Sequence, residues 1–442
     1  MKLGCLLLLT LPLAAQDVSP REPLPLTLKR AVALAISPEG SARVQLSGEA
    51  LKQAESRSRQ ARASLLPDFE SSFSYSSQTR NLQAVGINLS FPILGFQFPT
   101  LVGPFNVMDA RATATQSVFD FSSWRRYQAS KVGVSAARSD TDAAQEQVAA
   151  QVARAYLAAV KADTDVQTAD ANVTLSNAVL AQAENQKKAG TGTGIEVTRA
   201  RVQLANDRQR LLVAENTRRN AHLQLLRAIG LRLDTVLELL DPLKYEPVDA
   251  ETLQQAKADA LRLRPDLKAQ QEREDTARLS ASATRLERLP SLAAFGDYGS
   301  IGTGIDNALP TRTYGISLRV PIFDGGRRDA RRAESASQYR AEKIRTNDLK
   351  EQIELDVRLA LDSLESAEEQ VKVAKEGLDL AGNELTQARR RYDAGVANSL
   401  EVTDAQTRLE RARDNQTAAL YNYNLARLDL AQAMGRVRST LQ

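Results

Sequence analysis

A repeated pattern in residues 357–392, VRLALDSLESAEEQVKVAKEGLDLAGNELTQARRRY, decides the fold of this chain. Apolar residues recur there in alternating steps of three and four, at Val357, Ala360, Leu364, Ala367, Val371, Ala374, Leu378, Ala381, Leu385, Ala388 and Tyr392. A sustained spacing of about 3.5 residues is typical of long helices that supercoil around their neighbours. The alanines at alternate positions let those neighbours approach closely.

The same pattern occurs 205 positions earlier, so that residues 152–230 correspond to residues 357–435. The earlier copy keeps the register at Val152, Ala155, Ala159, Ala162, Val166, Ala169, Val173, Ser176, Leu180 and Ala183. The pattern breaks at 190–194 and again at 395–399, and it then resumes. Each copy therefore predicts a long helix, a tight turn at Gly190 and Gly194 or at Gly395, and a returning helix.

The duplication extends to the segments before each hairpin. A helical pattern runs from Thr27 to Leu66 and again from residue 258 to Leu289, and a proline follows each. Beyond these prolines the period changes to two, which predicts strands at about 68–79 and 107–119 in the first copy and at about 291–302 and 312–323 in the second. The sequence thus predicts a first repeat over 27–235, with a hairpin at 122–230, a linker over 236–257, and a second repeat over 258–442, with a hairpin at 327–435.

The predicted strands are about as long as a tilted strand that crosses a bilayer. Phe69, Phe73 and Tyr75 alternate with polar residues, and we expect the small polar residues to face an aqueous lumen, namely Ser71, Ser72, Ser74 and Ser76. The first copy has 19 extra residues between its strands, in an apolar loop over 80–106. The residues leave open whether this loop contacts lipid, the pore mouth or another chain. A soluble hairpin packed on helices is the alternative interpretation of the strands.

The amino terminus is typical of a secretory signal peptide, cut after Ala15. Residues 16–26 then form an extended lead-in with three prolines. Cys5 is the only cysteine, and it falls within the predicted signal, so disulfides and thiolate chemistry are excluded from the mature chain. The net charge of +4 comes from Lys and Arg that alternate with Asp and Glu along predicted helix surfaces. This pattern indicates solvated helix faces, and no nucleic acid is expected as a partner.

Four predicted strands in one chain cannot close a barrel, and open strand edges are not tolerated in lipid. Two copies would give eight strands around a filled interior, whereas three copies give twelve strands around a lumen that solutes can pass. A homotrimer is therefore the better prediction.

Short motifs point to a family. They are Arg264-Pro265-Asp266-Leu267, the segment from Val320 to Gly326, the run from Tyr392 through Ala405, and the closing segment from Tyr421 to Gly435. In this combination the sequence resembles the TolC and OprM family of outer-membrane efflux proteins over essentially the whole mature chain. The resemblance implies a membrane α+β fold: a trimeric 12-stranded outer-membrane β-barrel with four strands per chain, continued by a long periplasmic α-helical coiled-coil barrel with an internal twofold repeat.

The same resemblance implies the function and the partners. The protein would be the exit duct of a tripartite efflux or type I secretion system, passing small molecules, metals or polypeptides. It would contact outer-membrane lipid, a periplasmic adaptor and an inner-membrane transporter. A periplasmic coiled-coil adaptor or structural scaffold is the alternative, although it would need separate β-rich domains flanking one hairpin.

The resemblance also implies a gate at the two turns. Glu401 and Asp404 match the acidic positions that constrict the pore, and Tyr392 and Glu196 match inter-helix contacts that keep it shut. Ala397 departs from the pattern, since members of the family can carry an arginine there. The duplication aligns Glu196 with Glu401 but Arg199 with Asp404. We therefore hypothesise that Arg199 pairs with an acidic residue of a neighbouring hairpin; charged residues on a solvated turn are the alternative for all three positions.

Catalysis is not expected. His222 is the only histidine, and its position within a helix indicates a surface or packing residue rather than a ligand. The sequence has no phosphate loop, nucleophile motif or metal-ligand cluster, so no cofactor is implied.

Overall fold

The computed structural model describes residues 23–86, 100–248, 252–397 and 399–441. Several predictions lie outside these residues: the signal peptide with Cys5, the lead-in before residue 23, the part of the apolar loop that includes Pro92 and Pro99, and the linker at 249–251. None of the helices in the described part of the chain combines the length and the apolar character needed to span a membrane.

The described residues form nine α-helices and six strands. The first half contains β1 (Leu24–Leu26), α1 (Leu28–Ile36), α2 (Ala42–Ala63), β2 (Asp68–Asn81), β3 (Leu101–Phe119), α3 (Phe121–Lys188) and α4 (Gly194–Ile229). The second half contains β4 (Leu237–Leu239), α5 (Leu253–Leu263), α6 (Pro265–Leu286), β5 (Ser291–Gly302), β6 (Leu309–Arg319), α7 (Arg327–Asp393), α8 (Ser399–Ala433) and α9 (Val437–Leu441). The order α–α–β–β–long helix–returning helix therefore occurs in both halves.

The chain divides into two compact units, and each unit takes segments from both predicted repeats. The first comprises the described parts of Met1–Gln45, Ala144–Leu263 and Ile353–Gln442, and the second comprises Leu46–Ala143 and Arg264–Gln352. The units do not coincide with the repeats because α3 and α7 each contribute residues to both units. Helices α3 and α7 contain 68 and 67 residues.

The first unit has a core built around α3. Strands β1 and β4 pair in parallel, although the sequence predicted an extended lead-in and a linker at these positions. The hydroxyl of the buried Tyr156 on α3 donates to the Leu26 carbonyl (3.0 Å) and lies 3.1 Å from Asp241 Oδ2. The same carboxylate accepts from the Leu28 backbone N–H, at 2.6 Å. These contacts attach the small sheet and the start of α1 to the long helix.

The coiled-coil prediction for α7 is confirmed. Every predicted position from Val357 to Tyr392 is buried or half-buried. Val357 is fully buried, and Tyr392 is 7% exposed. The alternation of three and four residues therefore marks the face of α7 that packs against neighbouring helices.

The second unit contains a four-stranded antiparallel sheet in the order β2-β3-β5-β6. One face carries the exposed apolar and aromatic side chains of Phe69, Phe73, Tyr75, Tyr298, Tyr314, Ile316 and Leu318. The other face carries serines, threonines and the ion pairs of Arg111 with Asp297 and Asp109. The four serines predicted to face a lumen do not share one face. Strand alternation places Ser71 on the same face as Phe69 and Phe73, whereas Ser72, Ser74 and Ser76 lie on the polar face.

Strands β2, β3 and β6 differ from the predicted bounds, whereas β5 has them. Strand β2 ends at Asn81 rather than 79. Strand β3 begins at Leu101 rather than 107, so part of the predicted apolar loop belongs to the sheet. Strand β6 covers Leu309–Arg319 rather than 312–323. Pro321 lacks a backbone N–H and cannot continue the ladder, which explains why β6 ends early.

The helices that follow the sheet begin at acidic caps, as the sequence predicts. The Asp120 carboxylate accepts from the backbone N–H groups of Ser122 (2.9 Å) and Ser123 (3.2 Å). Asp324 accepts from the backbone N–H of Arg328, at 3.2 Å. Gly325 and Gly326 have φ of +69° and +85°, a conformation that side chains disfavour. Before the sheet, the predicted second-repeat helix begins at Leu253 rather than 258 and is split at Arg264, because Pro265 starts α6.

Candidate functional site

The two helix–turn–helix junctions hold all of the predicted site residues. Helix α3 ends at Lys188, and α4 begins at Gly194; helix α7 ends at Asp393, and α8 begins at Ser399. Gly190 and Gly395 have φ of +76° and +72°, which explains why glycine stands at each turn. Buried side chains on both sides of the second turn fix its geometry, including Leu385, Ala388, Val402 and Ala405.

Glu196 has a local structural role at the first turn. Its carboxylate accepts from the Thr193 backbone N–H, at 2.8 Å, and so satisfies a donor at the start of α4. Arg199, one turn further along α4, is exposed, and no described residue of this chain forms an ion pair with it. Its pairing with a neighbouring hairpin stays a prediction.

Tyr392 connects the two hairpins of the chain. Its hydroxyl donates to the side-chain oxygen of Gln186 on α3. The next residue along the chain, Asp393, accepts from Gln182 Nε2 at 2.7 Å. Burial, and then the nearby negative charge of Glu196, raise the pKa of Tyr392, so its hydroxyl remains a donor at neutral pH.

Gln186 belongs to both junctions. Its backbone carbonyl accepts from the N–H groups of Thr191 and Gly192, both at 3.0 Å, and so closes the first turn. Its side chain holds Tyr392 of the other hairpin. Gln182 and Gln186 were not predicted as site residues. The signal in the sequence is two glutamines four residues apart, which share one helix face at the end of α3.

Glu401 and Asp404 lie on α8, one helical turn apart, but they differ in their surroundings. Glu401 Oε1 lies 2.9 Å from Arg391 Nε across the second turn. Asp404 is exposed and forms no ion pair with a described residue. Further along the same face, Arg408 pairs with Glu384 at 2.8 Å. The negative charge of Asp404 is therefore not balanced by a cationic side chain among the described residues.

A buried polar cluster joins three helices farther from the turns. Ser176 on α3 donates to Asp207 on α4, and Arg210 on α4 pairs with Glu410 on α8. Arg413 on α8 donates to Asn172 on α3, at 3.2 Å. Charged groups at this depth need partners, since an unpaired buried charge costs several kcal/mol. The cluster therefore fixes α8 against the first hairpin, and the sequence did not reveal it.

His222 behaves as a packing residue, as predicted. Its Nε2 lies 3.0 Å from Asp163 Oδ1 and links α4 to α3. Among the described residues, no group of three or more His, Cys, Asp and Glu side chains is placed to hold a metal ion.

A match to a family model assigns this chain to a protein family. The model described as "Outer membrane efflux protein" matches residues 47–231 and 257–436. The chain belongs to the outer membrane efflux protein family. The predicted resemblance to TolC-type proteins is therefore confirmed, and so is an outer-membrane location.

Individual relatives agree with this assignment. The chain is 24% identical to the outer membrane protein TolC of Vibrio cholerae over 338 residues, which cover 75% of this chain and 77% of that protein. It is 25% identical to the pyoverdine export outer membrane protein OpmQ of Pseudomonas putida over 291 residues, or 64% of this chain and 61% of OpmQ. Its fold matches the CmeC outer membrane channel of Campylobacter jejuni with a TM-score of 0.78 at 19% identity, covering 92% of this chain and 85% of CmeC. This outer membrane efflux protein is an exit duct for efflux or type I secretion.

Proposed function

We propose that three copies of this outer membrane efflux protein assemble into a closed 12-stranded barrel continued by a helical barrel. The observation that supports this proposal is the open sheet β2-β3-β5-β6, which has an apolar face and whose two edge strands pair with no further strand in the described part of the chain. An open edge is not tolerated in lipid. Because the four strands alternate in direction, β6 of one copy meets β2 of the next in an antiparallel pairing, which lets the ring close.

The native mass of the protein extracted in detergent from purified outer membranes tests this assembly. We expect a discrete species of three chains, because three copies give a lumen that solutes can pass. A monomer in the soluble periplasmic fraction would reject the barrel and favour the periplasmic adaptor or scaffold instead.

The two helical turns would form the periplasmic aperture of this tube. Three copies would place Glu401 and Asp404 in rings around the axis, where like charges repel one another and attract cations. Tyr392 and Glu196 would help to keep the aperture narrow, since Tyr392 already joins the two hairpins of one chain through Gln186. We propose a transport role without catalysis, in which the charged groups at the turns act on passing ions.

Arg199 supplies a contact between chains in this proposal. It is exposed at the first turn and has no acidic partner among the described residues of its own chain. An acidic residue on the next chain's hairpin would be its partner in the closed state. One such pair per chain contributes about 1 kcal/mol when exposed.

We expect Arg199→Glu to raise the resting conductance of the trimer. Reversing the charge converts three attractive contacts into repulsive ones, and about 1.4 kcal/mol shifts an equilibrium between closed and open forms tenfold. Planar-bilayer conductance and the antibiotic permeability of cells measure the effect. The matched control is Arg219→Glu, an exposed position farther along α4. Unchanged conductance in the Arg199 variant would exclude the contact.

A periplasmic adaptor and an inner-membrane transporter are the proposed partners at this end. Exposed apolar side chains stand at both turns, at Ile195, Val396 and Leu400. Such side chains at a helical tip suit an adaptor that docks through its own apolar surface. We propose that the transporter, rather than the helical part of this protein, selects small molecules, metals or polypeptides as cargo.

A further inference from the structure

An aromatic stripe continues from the apolar face of the sheet onto the first turns of α3. Phe119 at the end of β3 contacts Phe121, with ring centroids 4.3 Å apart in an edge-to-face arrangement. Trp124 follows one turn later and lies 6.1 Å from Tyr127. Lys131 Nζ lies 5.9 Å from the centre of the Tyr127 ring. Phe119 pairs with Leu292 and so extends the sheet face that carries Phe69 and Tyr314. This face is the lipid-facing side in the proposed barrel.

The helices that start beside this stripe carry arginines where acidic residues are favoured. The first six residues of α3 contain Arg125 and Arg126 and no acidic residue. The first six residues of α7 contain four arginines and one aspartate. The amino end of a helix carries a partial positive charge, so arginine there is unfavourable unless negative charge lies nearby. Only part of that negative charge comes from the chain itself.

The junction of these helices keeps a surplus of positive charge after its internal ion pairs are formed. Glu287 pairs with Arg126 and with Arg331 (2.8 Å), and Asp329 pairs with Arg288. The junction comprises residues 120–126 at the start of α3, residues 285–288 at the end of α6 and residues 324–332 at the start of α7. These residues include eight arginines, at 125, 126, 285, 288, 327, 328, 331 and 332, and four acidic residues, at 120, 287, 324 and 329. Arg125, Arg285 and Arg332 form no ion pair with a described residue.

We propose that this junction, which we call the basic collar, binds the anionic headgroups of phospholipids in the periplasmic leaflet of the outer membrane. The aromatic stripe occupies the headgroup boundary, as Trp and Tyr do at membrane interfaces. The arginines just beyond it face the layer of phosphates. Acidic phospholipids fit better than zwitterionic ones, because the unpaired guanidinium groups need net negative charge. The collar needs the sheet to lie in the outer membrane, and it does not depend on the proposed gate.

The chain itself provides the probe for this proposal. Trp124 is its only tryptophan and is 52% exposed within the collar. The purified protein is reconstituted in vesicles of phosphatidylethanolamine that contain a small, fixed fraction of a brominated lipid, either phosphatidylglycerol or phosphatidylethanolamine. Bromine quenches tryptophan only at short range. We expect brominated phosphatidylglycerol to quench Trp124 several-fold more effectively at low ionic strength, and we expect added salt to reduce the difference.

A triple variant separates headgroup binding from folding. Arg125→Gln, Arg285→Gln and Arg332→Gln remove three positive charges without breaking the Glu287 or Asp329 pairs. Each arginine near an anionic surface contributes up to roughly a fivefold factor in affinity, so we expect the preference for phosphatidylglycerol to disappear. The matched control carries Arg208→Gln, Arg219→Gln and Arg227→Gln on α4 and should keep the preference.

Two outcomes would overturn the proposal. One is equal quenching of the unchanged protein by the two brominated lipids. The other is a triple variant that keeps the full preference for phosphatidylglycerol. Because the variants leave the turns unchanged, their single-channel conductance should equal that of the parent protein. A monomeric native mass of the unchanged protein would instead count against the barrel.

Discussion

Asp404→Asn should lower the cation-to-anion permeability ratio of the reconstituted channel by about tenfold or more. Two unit charges about 4 Å apart interact by about 1 kcal/mol in water and by about 4 kcal/mol at an effective dielectric constant near 20. In the proposed trimer the substitution removes three carboxylates from the narrowest part of the pore at once. A change of about 1.4 kcal/mol in the relative free energy of a cation and an anion at the constriction changes the permeability ratio by a factor of about ten. The reversal potential across a salt gradient measures the ratio directly.

Glu401→Gln is the matched comparison and should have a clearly smaller effect. Its carboxylate already faces the guanidinium of Arg391 at 2.9 Å, so the two charges largely cancel for a passing ion. Asp404 forms no such pair with a described residue. Equal effects of the two substitutions would mean that the Arg391 pair is broken in the assembled aperture. If neither substitution changes the permeability ratio, neither residue lies in the pore constriction.

Tyr156→Ala should cause the largest loss of stability of any single substitution considered for the first unit. Tyr156 is 1% exposed and lies in the core around α3. Truncating a large buried aromatic costs about 3–5 kcal/mol. Tyr156→Phe keeps the ring but removes the hydroxyl. The Leu26 carbonyl and the Asp241 carboxylate keep their bonds from Leu240 N–H and Leu28 N–H. The Asp241 N–H loses the hydroxyl as its acceptor, and the loss of these hydroxyl bonds costs about 1–3 kcal/mol. Thermal unfolding in detergent, followed by helical circular dichroism, measures both.

Tyr245→Phe is the control for the loss of a tyrosine hydroxyl. Tyr245 bonds to Glu368 at 3.0 Å, but it is 37% exposed, so water replaces the lost partner and little change is expected. Burial raises the pKa of Tyr156 well above its usual range. Its hydroxyl therefore stabilises the fold fully at all pH values below the unfolded-state pKa near 10, and that contribution is lost only as the pH rises through the folded-state pKa. Equal melting temperatures for Tyr156→Phe and the parent would contradict this account.

Much of the fold could be predicted because its signals are local and periodic. The three-and-four spacing from Val357 to Tyr392 depends only on which face of a helix is buried, and that face is the one found in the structure. Strand β5 has the predicted bounds because alternation and the preceding Pro290 define both its period and its start. The helix caps at Asp120 and Asp324 could also be predicted, because they too depend on residues that are close in the sequence.

The rest depends on contacts between residues far apart in the chain. Strands β1 and β4 contain three residues each, which are too few to show a period. Their paired residues lie 213 positions apart in the sequence, so the sheet depends on the tertiary fold. The bond between Tyr392 and Gln186 joins residues 206 positions apart, and no spacing rule relates them. The Arg391 partner of Glu401 lies across a turn whose geometry had to be known first. For the candidate site, the sequence therefore indicated the acidic residues and the glycines but not their partners.

The double role of Gln186 limits how the proposed aperture can widen. Gln186 closes the first turn with its backbone carbonyl and holds Tyr392 of the second hairpin with its side chain. The two hairpin tips of a chain would therefore tilt together as one rigid unit. Dilation would then have to come from sliding at the seams between chains, where Arg199 is proposed to act. An adaptor that displaces either hairpin tip would therefore move both tips of that chain. One bound adaptor per chain would be enough to open the part of the aperture that the chain forms.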